Sequence, residues 1–482
     1  MEHSMPVRVR FAPAPTGMMH LGNVRAAVIN FIFARQKNGV FVVRIEDTDQ
    51  ERNYDFEAKN IIADLEWLGL TYDEGPLVNG PFGPYFQSQR IEFYTKALSK
   101  VIEQKQCYRC FCSAEILEKK RIRTQALGLP PRYDRTCLQL NEREISLLLE
   151  QKQPFIWRFK LDHAKKVTVN DLAHGQTVFE LHNFSDFPLT RSDGSFTFIF
   201  ANFVDDMEMK ITHIFRGEDH LTNSACQASL FDVFDIPHPV YLHMPILCNI
   251  DGKKLSKRDF GFSLRDLKDA GFLASAIVNY LAIIGGSFEQ EIMDTSALVS
   301  TISFEHMHTT GHIKYDVEKL RWVNRKWIHA LSIDRFVALA KPFLLEAYPD
   351  CTRLENDLLC QLLKMIQQDI HTLKDVVDAL AFYFSYTPPT LSLLTENFSS
   401  DQLKTIKNIL NIVLQISKNA ENFIVQIKEQ TSKNSMPIKE IYTAVRLMVA
   451  HTKNGMAIKD LIVALKYEEF SKRLRAVLDL ID

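Results

Sequence analysis

The sequence predicts a doubly wound parallel α/β sheet, interrupted by an α+β insertion and followed by an all-α C-terminal half. Three observations predict it. Residues 6–100 alternate short apolar strands with helices of 3.6-residue period; residues 105–190 change character, collecting four cysteines, a basic run and short strands; and beyond residue 330 strand signals nearly vanish. At 482 residues the chain has room for several domains, and 46% hydrophobic with 24% charged residues is an ordinary globular composition.

The first strand lies in VRVRF, with Val7, Val9 and Phe11 on one face and Arg8 and Arg10 on the other. It breaks at Pro13, Pro15, Thr16 and Gly17, and His20 follows. A helix then sets Val24, Ala27, Val28, Phe31 and Ile32 at i, i+3, i+4, i+7 and i+8, with Asn38-Gly39 as its stop signal. Gly22 stands at the start of that helix, where a small residue lets phosphate approach unpaired N–H groups at the positive end of the dipole. His20 is either a neutral hydrogen-bonding group beside that phosphate or simply the helix cap.

A second strand, GVFVVRIEDTD (39–49), ends in Glu46 and Asp47 at the edge where open α/β sheets bind ligands, although a solvated strand end explains the same acids. A helix follows around FEAKNIIADLEWLGL, and Gly80-Pro81-Phe82-Gly83-Pro84 punctuates the end of this half. FIWRFKL and QTVFELHN are short strands in the insertion. Residues 194–221 read as two strands around an acidic turn, with Phe198 and Asn202 on the first, and a helix begins at about Thr222. HMPILCNIDGKKLSKRDF (243–260) is a strand, an Asp251-Gly252 turn, and a loop carrying Lys253, Lys254, Lys257 and Arg258. FLASAIVNYLAIIGG (272–286) is a buried helix, and 405–430 forms amphipathic helices.

No run reaches the ~18 apolar residues a membrane span needs, and the first residues carry no apolar leader, so cytoplasmic residence with reduced cysteines is expected. Four of the eight cysteines (Cys107, Cys110, Cys112, Cys137) crowd together, which in a reducing compartment favours metal over disulfide. A net charge of −2 means that any nucleic acid must be held by local basic patches. Lys119, Lys120, Arg121, Arg123, Arg132 and Arg135 are the candidates, and a solvated helix face accounts for them equally well.

A loop of cations facing a helix N-terminus is what attack on the α-phosphate of ATP requires, because negative charge grows there as pyrophosphate leaves. The pattern Pro-x-Pro-Thr-Gly-x-x-His-x-Gly, with KLSKR more than two hundred residues later, resembles the HIGH and KMSKS motifs of class I aminoacyl-tRNA synthetases. FVVRIEDTDQER and RGEDHL narrow the resemblance to the glutamyl-tRNA synthetase family of bacterial or organellar type. It covers residues 7–330 by motif and the remainder by helical character.

The resemblance implies a Rossmann-like catalytic domain in two parts (1–104 and 194–250), an acceptor-binding insertion (105–193), a stem-contact region with the KLSKR loop (251–330) and a helical anticodon-binding domain (331–482). It implies ATP with Mg²⁺, bound by His20, Gly22, Asn23, Lys254 and Lys257, with Ser256 also in the catalytic loop. Arg10, Ala14, Glu46, Phe198, Asn202 and Arg216 would line the L-glutamate pocket, the arginines for its side-chain carboxylate and Glu46 for its ammonium. Cys110, Cys112, Tyr133 and Cys137 would hold structural Zn²⁺, with Cys107 a rival to Tyr133 for the fourth position. The partner would be tRNA(Glu), required already for adenylate formation, and the enzyme a monomer.

Two residues depart from the family pattern. Ala14 stands where a serine is usual and Phe198 where a tyrosine is, each lost hydroxyl worth on the order of 1 kcal/mol. They keep open a duplicated synthetase that charges an unusual tRNA, while a non-discriminating enzyme that also charges tRNA(Gln) would be decided by anticodon contacts among the C-terminal helices. A glutaminyl-tRNA synthetase conflicts with the helical C-terminal half, and the relative that glutamylates queuosine lacks such a half. A small-molecule nucleotidyltransferase leaves RIEDTD unexplained, and a non-catalytic tRNA-binding paralogue would be expected to lose His20 or the lysine loop.

Overall fold

The first strand, β1 (Arg8–Phe11), is buried on both faces. In the computed structural model, which describes residues 6–48, 55, 58–130, 132–304, 312–453 and 455–481, its two arginines do not meet solvent. Arg8 donates to Glu74 at 2.7 Å and Arg10 to Asp206 at 3.1 Å. Buried strands on both faces are the mark of a parallel sheet covered by helices.

The elements follow in the order α1 (Leu21–Gln36), β2 (Val40–Val43), α2 (Lys59–Leu68), α3 (Ile91–Glu103), β3 (Cys107–Cys110), α4 (Ala114–Ala126), α5 (Glu142–Glu150), β4 (Ile156–Phe159), β5 (Lys166–Asp171), β6 (Gly175–Glu180), α6 (Phe198–Glu208), β7 (His213–Gly217), α7 (Leu221–Phe234) and β8 (Val240–Met244). The six-stranded sheet runs β2-β1-β7-β8-β5-β6. Every pair in it is parallel except the terminal hairpin β5–β6. Two strands of the 105–193 segment therefore extend the main sheet, while β3 and β4 form a separate antiparallel pair.

Residues 194–221 correct the expectation of two strands. Phe198 to Glu208 is a helix, and only His213–Gly217 is a strand. Aromatic-rich FTFIFANFV suits either period, but the helix buries Phe200, Phe203 and Val204 together, at i, i+3 and i+4, and turns Asp205 and Asp206 onto buried arginines. The helix α1 is buried nearly all round, with Phe33 packed edge-on against Phe215 at 4.7 Å between ring centres.

The chain divides into two compact units, one of Met1–Asp266 with Ile277–Val317, the other of Leu267–Ala276 with Glu318–Asp482. The described residues of the second unit contain only helices, including Ser400–Ile416 and Ala420–Lys433. Ser399 and Gln402 form a capping box at the head of the first of these, and Leu403, Ile406, Leu410 and Val413 give it one apolar stripe. Among the described residues no helix is long and apolar enough to cross a membrane.

Candidate active site

Beyond the carboxyl ends of β1, β7 and β8 lies a cavity of about 450 Å³. Its wall includes Arg10, Ala14, His20, Gly22, Asn23, Glu46, Phe198, Asn202, Arg216 and Lys254. The volume lies in the range usual for a cofactor-sized ligand.

The proline-bearing loop after β1 ends in His20, the N-cap of α1. Its Nδ1 accepts from the Asn23 amide at 3.3 Å, which leaves the ring proton on Nε2. Burial, then the nearby Lys254, lower the affinity of His20 for a second proton, with Asp219 opposing. A neutral donor thus stands beside the helix N-terminus. A Cβ on Gly22 would lie 3.1 Å from the His20 ring, so the glycine clears room for its own motif's histidine as well as for a ligand. The ring stacks on Phe262 at 5.5 Å, and Leu21 N to Phe262 O and Leu264 N to Met19 O, both 2.9 Å, tie this loop to the segment after the lysines.

The lysine loop is a tight turn with Gly252 at φ +77°. Lys254 reaches the cavity and pairs with Asp219 at 3.0 Å. Ser256 and Lys257 do not line it. Asp259 holds Ser256 through its backbone N–H at 2.8 Å and hydroxyl at 2.9 Å, and Lys257 is exposed.

The acid and arginine groups are deeper. Burial raises Glu46 to about 7 even though Arg44 and Arg10 pull it down. Arg44, fully buried, donates to Asp206 at 2.7 Å and Asn202 at 2.9 Å, and Asp206 also takes Arg10. Asp205, next along α6, is held by Arg90 at 2.6 Å, Gln87 at 2.8 Å and Tyr94 at 3.0 Å. Breaking one partner out of such a buried network costs about 3–5 kcal/mol, so the wall is rigid.

Arg216 differs from Arg10, Arg44 and Arg90 in making no ion pair among the described residues. Its Nη2 donates to Ser224 at 2.6 Å and Gln227 at 2.9 Å, whereas Nε and Nη1 are buried without a partner among the described residues. With no such pair, it is lowered by burial to about 10 against the pull of Tyr241, Asp206 and Glu46. Phe198, at the start of α6, faces His220 at 5.3 Å, and Ala14 is exposed on the cavity rim.

A model of the tRNA synthetases class I (E and Q) catalytic domain matches residues 6–322, and an anticodon binding domain model matches 335–478. The chain belongs to the glutamyl-tRNA synthetase family. It is 37% identical to the glutamate–tRNA ligase of Moorella thermoacetica over 79% of this chain and 78% of that protein. It is 32% identical to that of Thermodesulfovibrio yellowstonii over 98% and 99%. The crystal structure of the Elizabethkingia meningosepticum glutamate tRNA ligase in complex with its amino acid superposes with a TM-score of 0.85 at 27% identity, covering 99% of this chain and all of that one.

A cysteine corner lies apart from the cavity, on β3 and the following loops. The sulfurs of Cys110, Cys112 and Cys137 all lie within 4.8 Å of one another, with Cys112 and Cys137 3.6 Å apart. Tetrahedral zinc with bonds of about 2.3 Å sets sulfurs roughly 3.8 Å apart, so the donors fit. Tyr133 Oη sits 3.4 Å from Cys110 and 3.7 Å from Cys112. Cys107, at the other end of β3, is outside the group and packs against the apolar core.

The supporting residues Arg44, Arg90, Asp205 and Asp206 escaped the sequence reading, although RIEDTD and FVDD both contain members of the set. Their pairing joins positions more than a hundred residues apart.

Proposed function

We propose that the cavity activates L-glutamate with ATP and delivers it to tRNA(Glu), with Arg216 and Arg10 receiving the side-chain carboxylate and Glu46 the ammonium. The observation that carries this reading is Arg216, a buried cation with no ion pair and two unpartnered N–H groups among the described residues, in the same cavity as an acid raised to about 7. Such a pair of sites suits a ligand with an anionic side chain and an α-ammonium.

The α-carboxylate of glutamate attacks the α-phosphorus of ATP, and the bond to pyrophosphate breaks. His20 Nε2–H donates to the phosphates at the start of α1, with Gly22 and Asn23 bordering the nucleotide. The Lys254–Asp219 pair, mostly exposed, contributes at most about 1 kcal/mol, so Lys254 exchanges readily onto the triphosphate. There it and Lys257, with Ser256 fixing the loop, stabilise the leaving charge. Mg²⁺ accompanies the nucleotide. The terminal ribose hydroxyl of tRNA next attacks the activated carbonyl, and AMP leaves. Positioning and electrostatics carry both steps, with no covalent enzyme intermediate.

The insertion (105–193) would grip the acceptor end and the helical 331–482 the anticodon. Cys110, Cys112, Cys137 and Tyr133 would hold Zn²⁺, which there supplies structure and no chemistry. The enzyme would act as a cytoplasmic monomer, forming adenylate only with tRNA bound.

The test is attachment of radiolabelled glutamate and glutamine to purified tRNA(Glu) and tRNA(Gln). Glutamate transfer to tRNA(Glu) is expected, falling about 10²-fold or more in kcat for Lys254→Ala. Transfer to tRNA(Gln) as well would mark a non-discriminating enzyme. No transfer by well-folded protein would reject the reading.

A further inference from the structure

Behind Arg216, on the side away from the cavity, runs a buried hydrogen-bonded chain that the reaction itself does not use. Arg216 Nη2 donates to Ser224 Oγ at 2.6 Å. Ser224 Oγ lies 2.7 Å from His243 Nε2, and His243 Nδ1 lies 2.5 Å from Asp171 Oδ2. All four residues are buried. A carboxylate can only accept, so it takes the Nδ1 proton; Nε2 is then the acceptor for the serine hydroxyl, and the serine oxygen keeps its lone pairs for the guanidinium. The Ser224 hydroxyl also lies 3.4 Å from the His220 carbonyl, but burial keeps His243 neutral and the 2.7 Å contact to its Nε2 takes the proton, which gives every link one direction.

Asp171 is itself fixed. Its Oδ1 accepts from the backbone of Ala173 at 2.8 Å and His174 at 3.0 Å and lies 3.1 Å from His174 Nδ1, while Oδ2 also takes the His243 amide at 3.0 Å. It stands at the end of β5, in the hairpin β5–β6, where it registers with Tyr241 on β8. Ser224 belongs to the first turns of α7, and Gln227, one turn on, takes the other bond from Arg216 Nη2.

We infer that Asp171, His243 and Ser224 form a positioning relay that orients Arg216 for the side-chain carboxylate of glutamate. With Nη2 anchored by Ser224 and Gln227, Nε and Nη1 are the donors of the guanidinium left without a protein partner among the described residues. The relay also ties the substrate-reading arginine to the hairpin formed by residues of the insertion. It rests on the reading of Arg216 given above.

The test is steady-state aminoacylation with separate determination of KM for glutamate and for ATP. In Asp171→Asn, which keeps the shape and removes the charge, and in Ser224→Ala, which removes the middle link, KM for glutamate is expected to rise about tenfold, the effect of one lost hydrogen bond to a charged group. KM for ATP is expected to stay within about twofold in both. A merely structural loss would move both constants together. Should Asp171→Asn not fold, as judged by its thermal midpoint, Ser224→Ala carries the test alone. Unchanged KM for glutamate in Ser224→Ala, or parallel rises for both substrates, would overturn the relay. Arg216→Ala separates the layers. A rise there without one in Ser224→Ala rejects the relay only, and no rise there rejects the assignment of Arg216 as well.

Discussion

Glu46 shows how one residue's burial becomes a pH dependence. Only its carboxylate can pair with an α-ammonium, and burial, opposed by Arg44 and Arg10, raises it from the usual carboxylate range to about 7. Above pH 7 the empty site already holds the charge. As the pH falls through 7 the carboxylate takes up a proton that the incoming ammonium must displace, so KM for glutamate rises, approaching tenfold for each further pH unit. Measured at saturating ATP from pH 8 to 6, the wild type should show this rise. Glu46→Gln should have a high KM at pH 8 and a flat profile, and a variant that keeps the wild-type slope would assign the titration to another group. On the reading proposed above, the hydroxyls absent at Ala14 and Phe198 would bear on the same substrate without adding a titrating group, and so would set the level of KM and leave its slope alone.

The elements divide sharply into those legible from sequence and those that were not. The unit β1, loop, α1 was readable because its periods are clean and its breaks are marked by Pro13, Pro15 and the Asn38-Gly39 stop. The helix α6 was not, since aromatic-rich segments satisfy strand and helix periods alike, and what decides is tertiary: only a helix sets Asp205 and Asp206 side by side under Arg90 and Arg44. Partners such as Arg44 with Asp206, or Asp171 with His243, join positions 162 and 72 residues apart, and one chain contains no signal for such pairings. The cysteine corner is the intermediate case. Its clustering was visible, but the exclusion of Cys107 follows only from the pairing of β3 with β4, which turns that residue toward the core. Protein purified with zinc present should therefore carry one equivalent of metal by atomic absorption, and Cys112→Ser should lose it while Cys107→Ser keeps it. Metal-free wild type whose thermal midpoint ignores a chelator would reduce the corner to packed thiols.

At the scale of the whole molecule, a net charge of −2 gives no general attraction for a polyanion, so tRNA binding must come from a few uncompensated cations. The structure sorts the basic run accordingly. Arg121 is paired with Glu118 at 2.7 Å, Lys120 with Asp134 at 2.8 Å and Arg135 with Asp186 at 2.6 Å, and Arg132 donates to the His182 carbonyl at 2.5 Å. Lys119 and Arg123 are exposed, carry no ion pair among the described residues, and stand one turn apart on one face of α4. If they meet phosphates, each meeting releases counter-ions, and the slope of log K against log salt becomes shallower by roughly 0.7–0.9 for every phosphate that is no longer neutralised. The double variant Lys119→Ala/Arg123→Ala should accordingly bind tRNA(Glu) more weakly at low salt and converge on the wild type as salt rises, with glutamate and ATP constants unchanged. Filter binding across a salt series reads this directly. Equal slopes for variant and wild type would mean that this face of α4 stays in solvent when tRNA binds, and would move the phosphate-binding role to another surface.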